Sequence, residues 1–315
     1  MARDRDVVLC ECFARDGLQH EPGLVPTHRK VQLLDRFSAL GFQRIEATSF
    51  THPANVPQFF DADEVLARIA RRAGTRYKAT CVNLKSVERA VAAADAGHAP
   101  DEISMVLSAS PAMLKKAFNR SVDEQAAVID AMLEKAGGRF TVVGTVSFIF
   151  GSPYDGLVPD ARVVDLVRWM AGRGIRNIAI GDTMGLGDPL RIKRLFGTLT
   201  NAVPDVNYIA HFHDTRGLGI ANCIAAHEAG VRCFDTAFGG AGGNPAKISY
   251  AGGFTGNVCT EDLTSAFEAM GISTGLDMGA LVETAHACEQ AVGRELYGRV
   301  ARSGLGTVAM QEQGA

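Results

Sequence analysis

Long apolar runs, an excess of one charge, paired cysteines and a glycine-rich phosphate turn are all missing from this chain. No apolar stretch approaches the roughly 18 residues of a membrane span, so no membrane partner is expected. With 32 Lys+Arg against 35 Asp+Glu, the formal charge is −3. Such a balance offers nucleic acid no basic face, and none is expected as a partner. The opening residues MARDRDVVLCEC alternate Arg with Asp. They lack the apolar core of a signal peptide and the acid-poor character of a transit peptide, so a cytoplasmic location is expected. The seven cysteines, Cys10, Cys12, Cys81, Cys223, Cys233, Cys259 and Cys288, form no CxxC pair. An odd count in a chain this long reads as reduced thiols. Cys10 and Cys12 share one face of a strand and read as a buried apolar pair. No GxGxxG follows the first strand and no GK[ST] occurs anywhere, which argues against a dinucleotide or P-loop fold.

What is present is a regular alternation of short β-rich runs with helical runs. The strands read DVVLCEC, FQRIEA, RYKATCV, EISMVLS, FTVVGTVSF, RNIAIG, YIAHFH and VRCFDTAF. Between them, apolar residues recur at helical spacing, as in Val31, Leu34 and Phe37. Thr27, Thr260 and the box Ser121-x-x-Glu124 are expected caps, and Pro159 and Pro189 are expected openings. Eight β–α units in series predict an α/β fold of the closed (β/α)8 TIM-barrel type, as one catalytic domain over residues 1–315. An extra C-terminal helix is expected from about residue 277, carrying Leu281, Ala285 and Cys288. The tail from about residue 303 is expected to fray.

In such a barrel the active site lies at the carboxyl ends of the strands, and an unusual set of polar residues falls there. Arg15 and Asp16 follow the first strand, Glu46 ends the second, Asp182 follows the sixth, and His211-x-His213 ends the seventh. Asn257 lies in the long segment after the eighth. Two residues apart on a strand, the histidines share a face, so one strand can offer two ligands to one ion. Alone, HxH fits a hydrogen-bonded core pair equally well; convergence with Asp16 favours a metal. Two imidazoles, a carboxylate and an amide oxygen suit Mg²⁺ or Mn²⁺, and Zn²⁺ or Co²⁺ remain open. The two-His, one-carboxylate set also occurs in non-haem iron oxygenases, but Arg15 has no part in oxygen activation. Beside a divalent ion, the fixed charge of Arg15 is placed to stabilise an enolate oxygen. Glu46 is its economical partner. Asp182 is expected to bond a ligand or to hold a histidine in one tautomer. Seven glycines between Gly239 and Gly256 (239, 240, 242, 243, 252, 253 and 256) suggest a lid over the mouth.

The motifs ARDGLQHE, IEATSFTHPANVPQ, GSPYDG, IGDTMGLG, AHFHDTRGLGIANC and GNVCTEDL, in that order, resemble the 3-hydroxy-3-methylglutaryl-CoA lyase family from about residue 8 to 302. The resemblance implies a TIM barrel with Mg²⁺ or Mn²⁺ held by Asp16, His211, His213 and Asn257. It implies Arg15 as enolate stabiliser, Glu46 and Asp182 in support, and Asp16 or His211 as base. It further implies an acyl-CoA substrate, retro-Claisen cleavage to acetyl-CoA and a keto acid, and a homodimer. One departure stands out. Family lyases carry a catalytic cysteine in a GxGGCP segment, whereas here GAGGNP places Asn244 at that position. An amide is no thiol acid. A poor 3-hydroxy-3-methylglutaryl-CoA lyase, or one for another 3-hydroxyacyl-CoA such as citramalyl-CoA, is therefore expected. A condensing synthase using the same enolate is the other alternative.

Overall fold

The computed structural model describes residues 5–243 and 256–305; Asn244, most of the expected lid and the tail beyond residue 305 lie outside the described residues. Eight parallel strands close into a barrel: β1 (Val8–Glu11), β2 (Arg44–Ser49), β3 (Arg76–Cys81), β4 (Glu102–Ser108), β5 (Thr141–Ser147), β6 (Asn177–Asp182), β7 (Asn207–Phe212) and β8 (Cys233–Thr236). β1 pairs in parallel with both β2 and β8, which completes the ring. The eight runs expected from alternation are these eight strands, with ends shifted by one or two residues. No helix among the described residues is long and apolar enough to cross a membrane.

The outer helices are α1 (Thr27–Leu40), α2 (Ala62–Arg68), α3 (Leu84–Asp95), α4 (Pro111–Phe118), α5 (Val122–Ala136), α6 (Asp160–Ala171), α7 (Pro189–Ala202), α8 (Gly219–Glu228) and α9 (Thr260–Ala269). The Ser121–Glu124 box caps α5 as expected. Two expected caps are first helical residues instead. The Thr27 hydroxyl donates to Asp61 at 2.8 Å, and the Thr260 hydroxyl lies 2.6 Å from Glu11. Sequence periodicity missed α4, a short helix opened by Ser110 and Pro111. The expected extra helix is α10 (Met278–Val292), which buries Leu281, Ala285 and Cys288, with α11 (Val300–Ser303) beyond it.

Branched apolar side chains usually fill a barrel of this kind. Here Val143, Ala179, Ile209 and Cys233 do so on one side. Elsewhere the interior holds charges. Arg44 meets Glu102 at 2.6 Å. Above them, Lys78 lies 3.8 Å from Glu46 and 3.7 Å from Asp235. All five of these side chains are buried. A buried charge is tolerated only when paired, and this ladder of opposite signs leads towards the carboxyl-end mouth. Near its top the β2–β3 register slips between Glu46 and Thr48, a bulge of the kind that re-aims side chains next to sites.

Glu11 closes the barrel under the mouth. Its Oε1 accepts the amides of Phe13 (2.8 Å) and Phe238 (3.2 Å). Burial pushes its carboxyl up to about 8, against the pull of Thr260 and those two amides, and Glu261 adds to the rise. A carboxyl raised in the fold binds more protons folded than unfolded. Its contribution is complete below the ordinary value of 4.5 and is lost as pH rises through about 8. Glu11→Gln keeps both amide bonds at Oε1, donates to the Thr260 hydroxyl instead of accepting from it, and cannot ionise. Its stability relative to the parent, read by urea denaturation at pH 5 and pH 8.5, should increase with pH. A pH-independent difference would show that Glu11 is ionised throughout.

Candidate active site

The first turn after β1 is a π turn, Phe13–Gly17, in which the Cys12 carbonyl accepts the amides of Arg15, Asp16 and Gly17. Such wide turns recur at functional sites because they redirect side chains that an α turn would not. Arg15 donates from one terminal nitrogen to Asp16 at 2.8 Å and pairs through the other with Glu46 at 2.7 Å. Its Nε is buried and has no hydrogen-bond partner. Glu46 is locked in turn by the Thr80 hydroxyl and by Lys78. Burial would raise its carboxyl, but Arg15 and Lys78 hold it below the usual range.

Asp16 Oδ2 lies 3.8 Å from Nε2 of both His211 and His213. The donor atoms of the three residues fall within 4.8 Å of one another. Burial works to raise the Asp16 carboxyl, but Arg15, the two histidines and the Asn257 amide outweigh it and keep the group ionised. His211 ends β7. His213 falls one residue past the strand, where it forms an isolated bridge with Asn257. Asn257 Nδ2 donates to Asp16 Oδ2 and to the Ala241 carbonyl, both at 2.9 Å. That leaves Asn257 Oδ1 buried without a partner among the described residues. An orphaned carbonyl oxygen is costly unless something meets it. Beside two imidazoles and a carboxylate, a divalent cation is the group that fits.

The carboxylate that orients a histidine is Asp235, which sequence reasoning missed. Its Oδ2 lies 3.1 Å from His211 Nδ1, which fixes the proton on Nδ1 and leaves Nε2 facing Asp16. Burial lowers the His211 basicity, but Asp235 and then Asp16 more than reverse it. The signal was an acid inside the apolar run VRCFDTAF. Asp182, expected to hold a ligand or a histidine ring, accepts with its two carboxylate oxygens the amides of Leu186 (3.0 Å) and Gly187 (2.8 Å). It shapes the turn after β6, and its backbone carbonyl accepts the His213 amide at 3.2 Å.

A family model described as HMGL-like matches residues 6–288. The chain belongs to the HMGL-like family. Among curated members, the mitochondrial hydroxymethylglutaryl-CoA lyase of Macaca fascicularis is 37% identical over 300 residues, covering 95% of this chain and 90% of that one. Among solved structures, an HMG-CoA lyase from Acinetobacter baumannii in complex with coenzyme A and 3-methylmalate superposes with a TM-score of 0.89. It is 36% identical and covers 96% of each chain. The hydroxymethylglutaryl-CoA lyase of Pseudomonas aeruginosa also gives 0.89, at 34% identity, covering 96% of this chain and 98% of that one. The HMGL-like family depends on a divalent metal, and the donor set above fits one.

Proposed function

We propose that this protein is a carbon–carbon lyase that cleaves 3-hydroxy-3-methylglutaryl-CoA, or a close branched 3-hydroxyacyl-CoA analogue, to acetyl-CoA and a keto acid. One observation carries the reading. The Asp16–His211–His213 cluster, with the unpartnered Asn257 oxygen, shares one mouth with an arginine whose Nε–H is also unpartnered. Asp16, His211, His213 and Asn257 would hold Mg²⁺ or Mn²⁺, which supplies a Lewis acid for the substrate's hydroxyl and carboxylate oxygens. The chain does the rest. Asp16 or His211 takes the C3 hydroxyl proton, the C2–C3 bond breaks, and Arg15 meets the charge that develops on the thioester oxygen. Glu46 fixes the Arg15 plane, and Asp182 fixes the turn beneath the histidines.

Asn244 favours an analogue over the methylglutaryl thioester itself. Its carboxamide can hydrogen-bond a substrate oxygen but cannot carry a proton near neutral pH. The 3-methylmalate in complex with the Acinetobacter relative is itself a branched hydroxy diacid, so citramalyl-CoA is the first alternative. The condensing direction is the second, since the same enolate serves both. A homodimer is implied by the family resemblance, and a reducing compartment, the cytoplasm in our reading, suits seven free thiols. Acetyl-CoA release from a panel of 3-hydroxyacyl-CoAs tests the proposal. Release that stops on chelation is expected, and release from none of them overturns it. If the methylglutaryl thioester reaches about 10⁴ M⁻¹s⁻¹ in kcat/KM and leads the panel, Asn244 does not redirect the substrate.

A further inference from the structure

Retro-Claisen cleavage leaves an enolate whose carbon must take up a proton, and Arg15, Asp16, Glu46 and His211 cannot readily supply it. Arg15 never gives up its charge. Asp16 and Glu46 are held ionised by their cationic neighbours. His211 has Nδ1 on Asp235 and Nε2 facing Asp16. All seven cysteines are buried, and burial pushes Cys12 and Cys259, nearest the mouth in sequence, well above the ordinary thiol range. His52, on the segment after β2, is exposed, with its Nδ1 taken by the Ala54 amide.

His20 stands apart from these. It ends the 3-10 turn Leu18–His20, which directly follows the π turn carrying Arg15 and Asp16. A Cβ on Gly243 would lie 2.7–2.9 Å from the His20 ring and Cβ, and a Cβ on the preceding Gly242 would lie 2.5 Å from Asn257 Nδ2. Two consecutive glycines therefore rest on the His20 imidazole and on the Asn257 amide. Adjacent residues of one segment thus touch the His20 ring and Asn257, a ligand of the candidate metal centre. Only glycine permits both approaches, and Gly242 also has φ +146°. The ring is half-buried, and its Nε2 lies 3.1 Å from Gln19 Nε2. An amide NH₂ can only donate, so Nε2 accepts and the neutral ring carries its proton on Nδ1.

From this geometry, and resting on the lyase reading above, we propose that His20 is a catalytic residue that delivers the proton to the enolate carbon. The hydroxyl proton released at the cluster passes to the neutral imidazole. The C2–C3 electron pair becomes a C2–H bond as the imidazolium returns that proton, so none is gained or lost. Among the described residues, the charged groups around His20 are Asp16 and Arg15 on the preceding turn and its neighbour Glu21, which Arg294 holds at 3.1 Å. The Gly242–Gly243 segment over the ring brings no titratable group. Burial sets the ring's basicity below its ordinary value, with Asp16 pulling the other way, which keeps the imidazole neutral and ready to accept.

His20→Gln and His20→Asn test this alongside the parent enzyme. The measurements are turnover of the best thioester, exchange of acetyl-CoA methyl hydrogens into D₂O, and Mn²⁺ affinity by calorimetry. Turnover and exchange should both fall by about 10²–10⁴-fold, the range for losing a positioned acid–base group. KM and Mn²⁺ affinity should hold within a few-fold, and added imidazole should restore part of the exchange. Turnover within a few-fold of the parent in either folded variant overturns the role of His20 alone. So does a loss of turnover with exchange intact. A parent enzyme that cleaves no thioester overturns the lyase reading and this one with it.

Discussion

His213→Ala will bind Mn²⁺ at least ~100-fold more weakly than the parent, the upper end of what even an indirect supporting group contributes to metal affinity. His213 Nε2 and His211 Nε2 stand equally far, 3.8 Å, from one Asp16 oxygen. Removing either imidazole leaves an ion without one of its two nitrogen donors. Because His213 is buried, a thermal melt must accompany the titration. Asn257→Asp serves as a second probe: it keeps an oxygen where Asn257 Oδ1 now lacks a partner, and it should retain the ion. Affinity in the parent should weaken as the solution is acidified. A histidine must be neutral to ligate, and the Asp235 and Asp16 carboxylates raise His211 above its ordinary value of 6.5. Protons therefore begin to compete at a higher pH than for a free imidazole. Calorimetry showing equal Mn²⁺ affinity in parent and His213→Ala would remove the metal assignment.

Arg15→Met will keep the fold and the metal but lose about 10²–10³-fold in kcat, the scale for one oxyanion-stabilising donor. The guanidinium is locked on two edges, by Asp16 at 2.8 Å and Glu46 at 2.7 Å. Its Nε–H, buried without a partner among the described residues, is preorganised and costs nothing to orient at the moment of reaction. The loss should appear in kcat because the charge it meets exists only in the transition state. If KM rises while kcat stays normal, Arg15 binds substrate and transition state alike. Glu46 complicates the variant, since it loses its nearest cation and keeps only Lys78 at 3.8 Å. Arg15→Met/Glu46→Gln should therefore be better folded than Arg15→Met and no more active.

The strands were legible because a parallel barrel strand, buried on both faces, reads as a compact β-branched run between turn residues. The candidate site was legible where residues sit at strand ends. A polar group in that position has few structural reasons to be there, and Arg15, Asp16, Glu46, His211, His213 and Asn257 all meet at the mouth. What escaped was the interior. Lys78 in RYKATCV and Asp235 in VRCFDTAF look like ordinary strand polarity, because one chain of letters does not show that they lie 3.7 Å apart. Asp182 was placed at the end of its strand, but its bonds to the following turn were not foreseen. Nothing in IGDTMGLG tells that both carboxylate oxygens turn back to the amides of Leu186 and Gly187. The helix α4 escaped because Ser110–Pro111 opens only eight residues, too short for a periodic stripe.

The way the chain leaves and rejoins the barrel after β8 has a further consequence. Asn257 donates its backbone amide and its Nδ2 to the Ala241 carbonyl. Gly256 accepts from Asp214, and Val258 donates to Phe212. The chain therefore departs after Gly243 and returns at Gly256 between anchors that are already stitched to β7 and to each other. The span between can lengthen at little thermodynamic penalty, since doubling a loop costs only about 0.6 kcal/mol, while Asn257 stays where it is. Changes between residues 243 and 256 would then leave Asp16, His211, His213 and Asn257 undisturbed. One barrel of this kind can diversify between two fixed anchors while the residues of its candidate site stay in place.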